Sequence, residues 1–94
     1  MTAAPKYILH SPLSDETLLE EFVELCLREN ASLIAIVGLG SRRIEDIIDE
    51  IIVGDAQYDY KRFICTTSHP DETYEDVLEF VKFYHEGPIH EVRL

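Results

Sequence analysis

Ser32-Leu33-Ile34-Ala35-Ile36-Val37-Gly38-Leu39-Gly40-Ser41-Arg42-Arg43 is the stretch that decides the fold. Its run from Leu33 to Val37 is apolar without alternation, which describes a strand buried on both faces of a covered parallel sheet. Gly38 and Gly40 then turn the chain, and Ile44, Ile47, Ile48 and Ile51 follow at i, i+3, i+4, i+7, the spacing of an amphipathic helix. That helix is expected from about Arg42 to Val53, with Gly54 closing it.

Working upstream, Tyr7-Ile8-Leu9-His10 reads as a first strand, because Ser11-Pro12 ends ladder pairing. Ser14 or Asp15 caps a helix to about Glu29, with Leu18, Leu19, Phe22, Val23, Cys26 and Leu27 as its apolar stripe and Asn30 as its stop. Downstream, Asp55 to Tyr60 is a polar connection, and Arg62-Phe63-Ile64-Cys65-Thr66-Thr67 has the composition of a third strand. Pro70 suits the first turn of a third helix whose buried stripe is Tyr74, Val77, Leu78, Val81 and Tyr84. Gly87-Pro88 stops it, and Ile89 to Leu94 alternates like an edge strand.

The order β-α-β-α-β-α-β predicts one α/β domain over residues 1–94, with a mostly parallel four-stranded sheet, right-handed crossovers and helices on both faces. A strand order of 2-1-3-4 is expected, since it lets the short fourth strand end the sheet. One echo runs through the chain: Tyr7-Ile8 and Asp15-Glu16-Thr17 recur at a common offset as Phe63-Ile64 and Asp71-Glu72-Thr73. Shared strand-to-helix chemistry, with acids in the first turn, explains it better than duplication.

The 94 residues are 46% hydrophobic, enough for a single core. Nineteen acidic against eight basic side chains give a formal charge of -11, which repels nucleic-acid phosphates and anionic lipid and favours a basic protein partner. No run reaches the length of a membrane span, and Met1 to Lys6 has no signal-peptide core, so a cytoplasmic protein is expected. Cys26 and Cys65 sit in apolar patterns and read as buried thiols in a reducing compartment.

Two regions carry candidate chemistry. In an open parallel sheet ligands collect at the carboxyl ends of the strands, which here means His10, the turn Gly38, Gly40, Ser41, Arg42 and Arg43, and the loop Thr66, Thr67, Ser68 and His69. Glycine backbone, a helix start and an arginine fork would suit phosphate or another small anionic ligand. The pattern falls short of a dinucleotide fingerprint, since Arg43 stands where a third glycine belongs, and no Gly-Lys-Ser/Thr occurs. The plainer reading makes the glycines a tight turn and Ser41 a cap, with the arginines paired to Glu45, Asp46 or other acids.

Catalysis could be assembled from Ser11 or Ser68, His10 or His69 and Asp71, or from Cys65 and His69, without a nucleophile-elbow sequence. The four histidines, His10, His69, His85 and His90, lack ligand spacing, so no metal and no cofactor is expected. The second region is the acidic helical surface. Residues 14–29 and 70–86 each carry six acids against one base. Glu20, Glu21 and Glu24, with Tyr58 and Tyr60 in the polar connection, form the expected partner-binding set. Phe80 and Phe83 do not both fit the buried stripe of the third helix, and an exposed one could serve a homo-oligomer.

In size, acidity, β/α order, two cysteines and the ending Val81-Lys82-Phe83-Tyr84-His85-Glu86-Gly87-Pro88-Ile89, the chain resembles the small nuclease-inhibitor immunity proteins of the barstar kind. The resemblance is architectural and carries no binding residue across. From the acidic helices and the tyrosine-bearing connection, the leading expectation is an acidic, non-enzymatic, bacterial-type interaction module that binds a basic protein, of immunity-protein or antitoxin character. The alternative is the small-ligand or phosphate-binding domain, with or without catalysis, at the strand ends.

Overall fold

Strands and helices alternate in the computed structural model, which describes residues 3–54 and 64–94. They are β1 (Lys6–Ser11), α1 (Leu19–Arg28) after a 3-10 turn at Glu16–Leu18, β2 (Leu33–Gly38), α2 (Ser41–Gly54), β3 (Cys65–His69), α3 (Tyr74–Tyr84) and β4 (Ile89–Val92). The sheet is all-parallel, in the order β3-β2-β1-β4.

The α/β class and the three layers are as expected; the 2-1-3-4 order is not. β1 and β2, buried on both faces by the helix layers, take the centre. β3, with half-buried Thr66 and Ser68, and the short β4 go to the two edges. Right-handed crossovers then set the layers. Stepping from β1 to β2 to β3 keeps α1 and α2 on one face, and the return from β3 to β4 sends α3 to the other. On the first face Leu9, Ile34 and Ile36 meet Val23, Cys26, Ile44 and Ile48. On the second, Ile8, Ala35 and Val37 meet Val77 and Val81.

Several boundaries move for local reasons. Asp15 accepts the Thr17 N–H at 3.0 Å and caps the 3-10 turn, which separates Leu18 from the α-helical stripe and leaves it 39% exposed. Asn30 ends the helix as expected, with φ of 57°. α2 begins at Ser41, so Ser41 is not its cap: the Gly40 carbonyl accepts the Ile44 N–H at 3.2 Å. The Ser41 hydroxyl is buried and makes no hydrogen bond among the described residues. β3 continues to His69, which therefore belongs to the strand and not to the loop after it; Arg62 and Phe63 lie outside the described residues. Pro70 precedes α3 and lies outside its first turn, because Thr73 caps the helix by accepting the Asp76 N–H at 3.2 Å. The echoed Asp-Glu-Thr segments thus both initiate helices, one capped by its aspartate and the other by its threonine.

Lys6 is 2% exposed at the start of β1. Its Nζ donates to the Val81 carbonyl at 2.8 Å and to that of His85, at the end of α3. A cation placed there satisfies last-turn acceptors and meets the negative end of the helix dipole.

Candidate functional site

The face carrying α1 and α2 is not fully covered. α2 lies over β2 and β3 with α1 beside it, and on this face, among the described residues, α1 flanks β4 without covering it, while α3 packs on β4 from the other face. The consequence is an open groove of about 990 Å³ between α1 and β4. Its floor is Tyr7, Phe22, Val92 and Leu94. Leu25 on α1 and Leu18 in the 3-10 turn before it line the groove, and at 41% and 39% exposure they wall it with apolar surface. Glu20, Glu21 and Glu24 of α1 are also among the lining residues, with Arg28 in its last turn.

The floor is held in place. Tyr7 packs edge-to-face on Phe22 at 5.5 Å and lies 5.3 Å from the His90 ring. Its hydroxyl donates to Glu29, and burial together with that carboxylate pushes the phenol above its usual range. Beneath α1, burial and then Glu29 push the Cys26 thiol up to about 12, so it packs as a neutral apolar group.

The strand carboxyl ends are arranged differently. Gly38, at φ of 110°, lies against β1 so closely that a Cβ would stand 2.1 Å from the Ser11 carbonyl oxygen. The Ser11 Oγ donates to the Leu39 carbonyl at 2.5 Å, fastening the Gly38–Gly40 turn to the end of β1. Arg43 pairs with Glu16, which raises the guanidinium pKa further; Glu45 and Asp46 are not its partners. Arg42 is exposed.

The Thr66 Oγ lies 3.0 Å from Glu45 and 2.6 Å from Asp49, and burial, with Glu45 and Asp46 alongside, raises the Asp49 carboxyl. Thr67 and His69 face the other side of the sheet, where the His69 ring bridges Thr67 Oγ1 at 2.8 Å and Glu72 at 2.9 Å. Strand alternation therefore divides the expected anion-site residues between two faces, and Ser68 shares the Thr66 side. The donors do not converge, and carboxylates stand beside Thr66.

Where β1 and β4 diverge, His10 Nε2 lies 2.7 Å from Glu91 and its ring stacks on Tyr74 at 5.5 Å. The Tyr74 hydroxyl donates to the other Glu91 oxygen at 3.0 Å, and Arg93 reaches Glu91 at 3.0 Å. Hydrogen bonds from Tyr74 and His10 hold the Glu91 carboxyl below its usual value. This latch ties β4 and the start of α3 to the centre of the sheet. Among the described residues no three histidine, cysteine or acidic side chains gather where a metal ion could be held.

Of the expected partner-binding set, Glu20, Glu21 and Glu24 share the groove, while Tyr58 and Tyr60 lie outside the described residues. Phe83 is 81% exposed on α3, and Phe80 contacts His69 and Tyr84. The apolar half of the groove escaped the sequence reading. Its available signal was the breadth of the first helix, whose apolar residues from Leu18 to Leu27 exceed what one sheet face covers.

The chain belongs to the family described as a domain of unknown function (DUF7684), whose model matches residues 7–93, from β1 through β4. No curated protein and no solved structure matches it.

Proposed function

We propose that the chain is an interaction module, not an enzyme, that binds a basic protein partner stoichiometrically through the groove between α1 and β4, as a bacterial immunity protein or antitoxin would. The observation that carries this reading is the meeting of Glu20, Glu21 and Glu24 with an apolar floor and wall in one open groove. Apolar anchors in a pocket supply most of the affinity of such a complex, while a negative rim of one sign speeds encounter with a positive partner and rejects negative ones. The formal charge of -11 extends that field over the whole molecule. Cys26 and Cys65 are both free thiols, which suits a reducing, cytoplasmic setting. Among the described residues no helix is long and apolar enough to cross a membrane.

The test uses the partner purified from cells on the immobilised chain. Association is followed by stopped flow at low and raised salt for the wild type, the Glu20→Lys/Glu21→Lys/Glu24→Lys variant and the Arg42→Ala/Arg43→Ala variant. Charge reversal on α1 is expected to slow association by about tenfold or more and to flatten its salt dependence. The arginine variant is expected to leave both unchanged. A wild-type rate in the α1 variant would remove the groove from the complex.

A further inference from the structure

We infer that the occupant of this groove is an amphipathic α-helix of the partner, laid antiparallel to α1 over β4, with Lys and Arg in its C-terminal half. The inference rests on the groove reading above and specifies what fills it. It begins from the layer that α1 and α2 leave incomplete. A sheet face is buried by helices packed side by side at 8–10 Å between axes, and the next such position beyond α1 is the groove itself. A helix there would touch Val92 and Leu94 beneath it and Leu18 and Leu25 beside it at the same time.

The competing occupant, a strand added to the open edge of β4, is opposed by the edge itself. β4 has four residues, follows Pro88, and carries Glu91 and, just past its end, Arg93. Short length, proline and charge are the features that keep edges from pairing.

Orientation follows from charge. The acids Glu20 and Glu21 occupy the first turn of α1, Glu24 follows, and Arg28 ends the helix. In an antiparallel neighbour the C-terminal turns lie beside those acids, and C-terminal turns are where Lys and Arg are favoured by the helix dipole. An acid in the neighbour's first turn then meets Arg28. Since the 10 residues of α1 span about 15 Å, the matching helix has about three turns.

The probe is a phage-displayed library of random 16-residue peptides, selected on the immobilised full chain, with the folded Glu20→Lys/Glu21→Lys/Glu24→Lys chain as counter-selector. Circular dichroism checks that the counter-selector and a Leu25→Glu chain keep the wild-type spectrum. Expected are peptides with apolar residues at i, i+3, i+4 and i+7 and Lys or Arg toward the C-terminus. Proline at their centre should weaken binding by about 100-fold, the loss that corresponds to its cost inside a helix. Binding should also fall on the Leu25→Glu chain. Enriched peptides of alternating, period-two pattern that still depend on the α1 acids would overturn the helical occupant and leave the groove reading standing. Peptides that bind both variants as well as wild type, or no enrichment at all, would overturn the groove reading together with the helix.

Discussion

Replacing Lys6 by methionine tests the most deeply buried charge among the described residues. Methionine keeps the aliphatic reach across the core and offers no donor, so the Val81 and His85 carbonyls lose the ammonium that now bonds them. An acceptor left unsatisfied in a buried position costs about 1–3 kcal/mol, and two are affected here. Against this, removing the ammonium relieves its own desolvation, which sets the net below the top of that range. We expect Lys6→Met to lose about 2 kcal/mol, equivalent to a fall on the order of 10 °C in Tm for a domain of this size. Urea unfolding followed by far-ultraviolet circular dichroism reads the loss as a lower midpoint at unchanged slope. Faster amide exchange confined to the last turn of α3 would locate it. A loss below about 0.5 kcal/mol, or exchange unchanged in that turn, would refute the assignment of Lys6 as the group that holds the end of α3.

Gly38→Ala should cost about 3 kcal/mol or more in the same urea assay, because a φ of 110° and a Cβ placed 2.1 Å from the Ser11 carbonyl oxygen force β1 and β2 apart at their ends; a loss under about 1 kcal/mol would contradict that packing. Glu91 predicts a pH dependence: its folded pKa is depressed below the ordinary 4.5, so the unfolded chain binds the proton more readily in the window between the two values. The stabilisation is complete above the ordinary value and is lost as pH falls through the depressed one, and Glu91→Gln should remove this slope from urea midpoints measured across the acid range.

The fold was legible where one residue's surroundings are set by its near neighbours. Leu33 to Val37 cannot be a solvent-facing strand because no position is polar, and the isoleucines of α2 mark a face by spacing alone. Strand order is a different kind of quantity, since each crossover could run to either side of a growing sheet. The half-polar composition of Thr66, Thr67 and Ser68 was the local clue that β3 belongs at an edge. The candidate site was half legible for the same reason. Glu20, Glu21 and Glu24 are neighbours in sequence and show as an acidic helix face. Val92 and Leu94 reach the groove only because β4 pairs with β1, and Arg43 finds Glu16 across 27 residues of chain. Strand alternation over the span Cys65–His69 is itself enough to separate Thr66 from Thr67 and His69.

The pairing of β4 with β1 joins Lys6 to Ile89, from opposite ends of the chain. Of the parallel pairings in this sheet it closes the longest loop, so it carries the largest entropic cost of closure. Pairings of that separation raise the contact order and slow folding. Val92 and Leu94 reach the groove only through that pairing, so a chain interrupted before β4 would present the acidic helix without the part of the seat they supply. The partner proposed above, if it needs both, would act as an inspector of the finished protein: it would grip chains in which β4 has docked and, by mass action, draw the remainder toward that state.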